Sequence, residues 1–357
     1  MRLLKFVPAF IVVGMILMAC GGNNGGGAAA GKKIALLLPE ATTARYDTKD
    51  MPFFRDKLKS LCSSCELIYS NAKQDATTQQ TQAEAAITNG ASVLVLDPVD
   101  GAAAAAIVAK AKAKNIPVIS YDRLILGTAD LNYYLSFDNA AVGALQGNAL
   151  LTALGSKTMP TIVQINGDPA DNNAKLFKQG AHSVLDGKVK YGKEYDTPGW
   201  KPENAQTEMA GALTALGNKV DGVLAANDGT AGGAIAAMKS AGLSPLPPIT
   251  GQDAELAAIQ RILAGEQSMT VYKAIKAEAE AAATLAYDLA YGVAVPASMT
   301  NGKTVNNNKA DIKSVLLTPV AVNKANIQST VVADQFWTKA DICTSAYAAA
   351  CTAAGIS

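Results

Sequence analysis

The sequence predicts an α/β protein of two lobes, each an open, mainly parallel sheet with helices on both faces. Three observations carry this expectation. Short apolar runs that read as buried strands alternate with Ala-rich stretches that read as helices. The chain is 357 residues long, which suits two domains of ordinary size. Polar and charged residues recur where the strand-like runs end, and open parallel sheets bind ligands in the crevice outside those ends. Charge narrows the class further. Lys and Arg number 31 against 30 Asp and Glu, so no basic excess directs the chain to nucleic acid.

The first twenty residues lie outside this pattern. Arg2 and Lys5 supply a positive start, Phe6 to Met18 an apolar run, and Leu17-Met18-Ala19-Cys20 ends it with a small residue before a cysteine. The run is short and closely followed by Gly and Asn, so it reads as a secretory signal and not as a membrane-spanning helix. Residues 1–20 are expected to be a lipoprotein signal peptide, because Cys20 resembles the cysteine lipidated in bacterial lipoproteins. Met18 is an uncommon residue at its place in that pattern. Residues 21–31, nearly all Gly, Asn and Ala, are expected to be a flexible tether. The expected location is extracytoplasmic and membrane-anchored, in a periplasm or on a cell surface. Export also shapes the reading of the other cysteines. Cys62 and Cys65 follow a helix instead of opening one, which favours a local structural disulfide over a reactive pair. Cys343 and Cys351 are placed to close a second. His182 is the only histidine and has no Cys or His at ligand spacing, so no metal is expected.

From Lys33 the elements follow in order. Strands are expected at 33–38, 66–70, 92–97, 116–121 and 133–136, with helices at 52–61, 77–88 and 101–115 between the first four. After a helix at 140–154, strands at 161–165, 189–195, 222–226 and 248–251 alternate with helices at 175–185, 204–216, 229–241 and 255–264. A strand at 269–272 and a helix at 274–291 complete the series. Repeated strand, helix, strand units imply right-handed crossovers and parallel pairing.

The stretch Ile116 to Arg123 anchors the functional reading, since a buried strand there delivers Asp122 and Arg123 side by side at its carboxyl end. A carboxylate beside a guanidinium can accept and donate charge-assisted hydrogen bonds to a polyhydroxylated molecule. Other strand ends carry matching groups: Arg45 and Tyr46, Asp171-Asn172-Asn173, Gly199-Trp200, Asn227-Asp228, Gln252-Asp253 and Lys273. A sugar ring has apolar faces and a polar rim. Tyr46 and Trp200 would be the walls of such a site, and Arg45, Asp122, Arg123, Asn173, Asn227, Asp253 and Lys273 the rim. Each residue has a structural alternative. Asn227 or Asp228 would cap a helix, as would Asp171-Asn172-Asn173. Trp200 would cover a lobe edge, Lys273 would be a solvated charge, and Lys175 would pair with Asp171 one turn away.

Several long stretches together resemble one family. They are Val118–Arg123, Tyr134–Asn139, Asp171–Phe177, Gly199–Ala205, Ala226–Gly233, Gly251–Leu256 and Met269–Lys273. In this order they are similar to the periplasmic sugar-binding proteins of bacterial ABC importers, the ribose and galactose class, and within it to the xylose-binding branch. The resemblance runs from about Lys33 to about Gln328. It implies a type I periplasmic binding protein fold of two Rossmann-like lobes joined by a three-segment hinge. The lobes would be 32–138 plus 274–317 and 139–273 plus 318–334, with a tail at 335–357. It further implies a monosaccharide ligand, D-xylose first, a permease with its ATPase subunits as partners, a monomer and no cofactor. Position by position it assigns Arg45, Asp122 and Arg123 to one lobe, Asn173, Trp200, Asn227 and Asp253 to the other, and Lys273 to the hinge. Tyr46 stands where the family carries Trp, the loop Pro39–Asp47 has less charge than usual, and the tail is not a family feature. No catalytic constellation is present: there is no Gly-Lys-Ser/Thr phosphate loop, and His182 has no nucleophile partner. Rival readings are a transcription regulator's effector domain, which would need a helix-turn-helix where the signal segment lies, a receptor subunit that hands its ligand to a membrane sensor, and, more remotely, an exported hydrolase.

Overall fold

The computed structural model describes residues 31–356, so the expected signal peptide, the Cys20 lipidation site and almost all of the tether lie outside the described residues. Strands β1 (Lys33–Leu38), β2 (Glu66–Asn71), β3 (Val93–Leu96), β4 (Val118–Tyr121) and β5 (Tyr133–Phe137) pair in parallel, in the order β5-β4-β3-β1-β2. Helices α1 (Met51–Leu61), α2 (Ala76–Thr88) and α3 (Ala105–Lys112) make the crossovers between the first four. β3 is buried at every residue and β1 from Ile34 onward, as strands covered on both faces must be.

A second set follows: α4 (Asn139–Leu154), β6 (Thr161–Asn166), α5 (Asn172–Leu185), β7 (Lys190–Asp196), α6 (Pro202–Leu216), β8 (Gly222–Ala225), α7 (Asp228–Ser240) and α8 (Leu256–Ala264). Its strands form a parallel sheet ordered β7-β6-β8. β9 (Thr270–Tyr272) and α9 (Ile275–Tyr291) come next, then α10 (Ala297–Thr300), β10 (Thr304–Asn306), β11 (Asp311–Leu317) and β12 (Val320–Val322). β11 extends the large sheet parallel to β5, β10 closes its edge antiparallel, and β12 pairs antiparallel with β9. The chain therefore passes between the large sheet and the elements of the two smaller sheets after β5, between β9 and α9, and between β11 and β12.

The alternation along β1 sorts the core. Ile34, Leu36 and Leu38 face α9, whose Ala279, Ala282, Ala283 and Ala286 let the helix lie close, while Ala35 and Leu37 face α2 and α3. Each fully buried Leu or Ile contributes about 1.5–3 kcal/mol. In the second set α4 crosses α5 so closely that a Cβ on Gly180 would lie 2.0 Å from the Ala140 carbonyl oxygen.

Some expected elements differ. Residues 248–251 make only a single bridge, Val223 to Ile249, in which Val223 N–H donates to the Pro248 carbonyl oxygen and Thr250 N–H to that of Val223. The Ala-rich helix expected at 101–115 is regular only over Ala105–Lys112. β10 to β12 were not anticipated, since β10 and β12 are three residues long and partly exposed. The tail folds as α11 (Lys339–Ile342) and α12 (Ala348–Ala353), and its Phe336, Ile342, Cys351 and Ile356 are buried with Ile259, Ile262 and Val331. Cys62–Cys65 and Cys343–Cys351 are disulfide-bonded. No described helix is long and apolar enough to cross a membrane.

Candidate functional site

The side of the site that belongs to the large sheet begins where β4 ends. Asp122 has φ +52°, a left-handed conformation that Asp tolerates better than most residues. Its carbonyl oxygen accepts hydrogen bonds from Ser136 Oγ (2.6 Å), Tyr134 OH (3.2 Å) and, across the cleft, Asn173 Nδ2 (3.0 Å). Three donors on one carbonyl hold the turn. Arg45 comes from the loop after β1, just before a π-helical turn at Tyr46–Asp50. Asp50 accepts from its Nε (3.0 Å) and Nη2 (2.7 Å), and Glu278 of α9 accepts from the same Nη2 (2.8 Å). Only Nη1 remains, 3.4 Å from an Asp122 oxygen. Arg123 is held by Asp171 (Nε, 3.0 Å) with Asp97 and Glu40 at 3.7 and 3.8 Å. Tyr46 donates to Asp122 (3.2 Å) and accepts from Arg123 (3.3 Å), and its ring lies against both guanidinium groups.

The opposite side is built at helix starts. Asp171 is the N-cap of α5: one carboxylate oxygen accepts from Asn173 N–H (2.8 Å) and the other from Trp200 Nε1 (3.2 Å). The expected pair with Lys175 is absent, because both Asp171 oxygens are engaged by these donors and by Arg123. Trp200 is buried, not spread over a lobe edge, and meets Phe177 edge-on at 6.3 Å. A Cβ on Gly167 would lie 1.9 Å from the Trp200 ring, so this wall requires that glycine. Asn227 caps α7 through Oδ1, which accepts from Thr230 N–H (2.9 Å) and Thr230 Oγ1 (2.8 Å), and leaves Nδ2 over. Capping and ligand binding are thus compatible in one amide. Asp253 has φ +89°, and Lys273 Nζ lies 3.0 Å from its Oδ1. Lys273 is 3% exposed, so it is not a solvated charge.

Arg45, Tyr46, Asp122, Arg123, Asn173, Trp200, Asn227, Asp253 and Lys273 all line one cavity. Thr43, Asp171, Phe177 and Gln252 complete the lining. Phe177 stands one helical turn from Asn173 and Gln252 adjoins Asp253, so both were within reach of a helical or nearest-neighbour argument. The carboxylates that frame the cations left no such trace. Buried polar atoms without a hydrogen-bond partner among the described residues include Arg45 Nη1, Asp122 Oδ1, Arg123 Nε, Gln252 Oε1 and Asp253 Oδ1.

Electrostatics separates these acids by position. Burial alone would raise the Asp122 carboxyl, but Arg45, Lys273 and Arg123 outweigh it and hold it at about 2. Burial pushes Asp97 and Glu278 well above the carboxylate range, against Arg123 and Arg45 respectively. The cavity therefore presents an ionised acceptor at Asp122 and fixed guanidinium donors, interleaved with amides and bordered by flat rings. Such a set recognises hydroxyl groups in several directions at once. Among the described residues no cluster of His, Cys, Asp and Glu is suited to a metal.

Two open α/β halves with a polar cavity between them, reached from strand ends and helix starts, define a ligand-binding protein of the periplasmic type. The sequence signature of the periplasmic binding protein domain matches residues 34–293, and the chain belongs to this family. Its fold is the type I periplasmic binding protein fold, and it is a binding protein, not an enzyme. It is 41% identical over 315 residues to the D-xylose-binding periplasmic protein of Escherichia coli, covering 87% of this chain and 92% of the relative. It is 40% identical to the protein of the same name from Haemophilus influenzae, again over 87% of this chain and 92% of that one. An ABC transporter solute-binding protein from Clostridium phytofermentans, solved with bound β-D-glucose, superposes with a TM-score of 0.79 at 30% identity, covering 87% of this chain and 100% of that one.

Proposed function

We propose that this chain is the extracytoplasmic sugar-binding component of an ABC importer and that its ligand is D-xylose. The observation that carries the reading is the set of buried polar atoms without a hydrogen-bond partner among the described residues, Arg45 Nη1, Asp122 Oδ1 and Gln252 Oε1, with the ion-paired Arg123 and Asp253 beside them, around one cavity walled by Tyr46, Phe177 and Trp200. Sugar hydroxyls would satisfy those atoms, and the aromatic faces would cover the ring's C–H groups. The names of the Escherichia coli and Haemophilus influenzae relatives support the choice of D-xylose. Arg45, Asp122 and Arg123 bind from one lobe, Asn173, Trp200, Asn227 and Asp253 from the other, and Lys273 binds at the hinge. The lobes are 32–138 with 274–317 and 139–273 with 318–334. They close because bound sugar touches both and so favours the closed state. The closed form delivers its cargo to a permease whose ATPase subunits do the chemical work. The protein acts as a monomer held at the membrane by lipid on Cys20.

The test is calorimetric titration of the chain from Lys32 onward with D-xylose, D-glucose, L-arabinose, D-ribose and D-galactose. One-to-one binding that is tight for D-xylose and weaker for the others is expected. Preference for another monosaccharide would overturn the choice of sugar, and binding of none would overturn the assignment of the cavity.

A further inference from the structure

A second cavity, of about 190 Å³, lies beside the first and shares Arg45 and Asp253 with it. Its other lining residues include Lys49, Glu255, Leu256, Phe336 and Trp337. Lys49 sits in the π-helical turn that carries Tyr46, immediately after Arg45, and this turn packs with α1 and α9 against the large sheet. Phe336 and Trp337 belong to the tail, which is buried with α8, β9 and β12 on the other side of the cleft. Lys49 spans the gap. Its Nζ donates to the Phe336 carbonyl oxygen at 2.5 Å and stands 3.8 Å from the centre of the Trp337 ring.

The tail is tied to the same segments that supply the ligand groups. Trp337 Nε1 donates to the carbonyl oxygen of Ala254 (2.8 Å), the residue after Asp253. Phe336 meets Tyr272, the residue before Lys273, edge-on at 5.2 Å. Lys49 is therefore one turn from Arg45 and Tyr46, and its partners Trp337 and Phe336 contact Ala254 and Tyr272, the residues next to Asp253 and Lys273. Lys49 is half-buried, and burial lowers its pKa against the opposing pull of Asp341. Such a cation is desolvated in the closed arrangement, where the face of an indole and a carbonyl oxygen replace water.

We propose that Lys49 with Phe336 and Trp337 sets affinity from outside the cavity, by joining the ligand-binding turn of one lobe to the tail of the other when the protein is closed. The inference rests on the sugar-binding reading given above. It adds a contact that touches no ligand atom yet slows release, because a contact made only in the closed state raises the population of that state. The tail, stapled by Cys343–Cys351, thereby has a role in binding.

The experiment compares wild-type chain with Lys49→Met, which keeps the apolar stem, and Lys49→Arg, which keeps a cation able to stack on an indole. Stopped-flow fluorescence with D-xylose should show release about tenfold faster in Lys49→Met with an unchanged association rate, and release near the wild-type rate in Lys49→Arg. Trp337→Leu should match Lys49→Met. Wild-type release rates in Lys49→Met would overturn the proposal. If the wild-type chain binds no monosaccharide, the sugar reading fails separately, and small-angle scattering of the ligand-free chains decides about the contact. A larger radius of gyration for Lys49→Met supports it, and identical radii overturn it.

Discussion

The two sides of the cleft reach the same end by different physics. On the large-sheet side, guanidinium groups are fixed by buried acids: Arg45 by Asp50 and Glu278, Arg123 by Asp171, Asp97 and Glu40. On the other side, the groups are fixed by helix starts, where Asp171 and Asn227 cap α5 and α7 while facing the ligand space. Buried ion pairs gain little when complete and cost several kcal/mol when one partner is removed. Caps are cheaper, at about 1 kcal/mol each, and survive many substitutions. The charged side is thus rigid and intolerant, the capped side adjustable. A protein built this way can keep its orienting contacts while its capping amides vary.

The largest effect that would test this contrast belongs to Asp122→Ala. Loss of the carboxylate leaves Arg45, Lys273 and Arg123 short of a partner. Calorimetry should detect no sugar binding, circular dichroism should be unchanged at 25 °C, and stability should fall by about 3–5 kcal/mol. Retained affinity would break the assignment of this side as the orienting one.

Gly167→Ala comes next. The added methyl would sit 1.9 Å from the Trp200 ring, so the wall must move. Overpacking of this kind costs about 1–3 kcal/mol, and sugar affinity should drop about tenfold or more. Unchanged tryptophan fluorescence and affinity would show that the ring is not a fixed wall.

Asn227→Ser sharpens the comparison from the capped side. Serine keeps an oxygen for Thr230 N–H but has no amide to offer the cavity. Melting should stay within a few tenths of a kcal/mol of wild type, while affinity falls about tenfold. Equal losses in both would mean that Asn227 is a cap alone.

The last effect is a pH dependence. Burial raises the Asp228 carboxyl to about 7 despite Arg261, and raises Glu255 to about 8 with help from Asp228 and Asp253. Folded chain holds these protons at pH values where unfolded chain has lost them. Stability is therefore lost as pH rises from the ordinary carboxylate range through about 8. Glu255→Gln should flatten the upper part of that decline in thermal melts at pH 5, 7 and 9. An unaltered slope would remove Glu255 from the account.

Several parts of the site were legible in the sequence because their causes are local. Asp122 and Arg123 follow a strand readable from its apolar run, and Asn227 and Asp171 begin helices whose cap signals lie within four residues. Trp200 was legible as a wall from its place after a strand, but its burial was not. Its burial depends on Gly167, which lies 33 positions earlier and carried no signal of its own. The strand expected at 248–251 shortens to one bridge beside β8, a length that the sequence pattern does not set.

The chain's local patterns determined the alternation of elements, the strand ends at which polar groups collect, and the type of side chain offered there. Tertiary structure decided which carboxylate frames which cation, that Asp171 serves Arg123 and Trp200 instead of Lys175, and that Lys49 meets Trp337. The reason is range. Periodicity and capping act over a few residues, whereas Glu278 reaches Arg45 from 233 positions away and is placed there only by packing α9 on the large sheet.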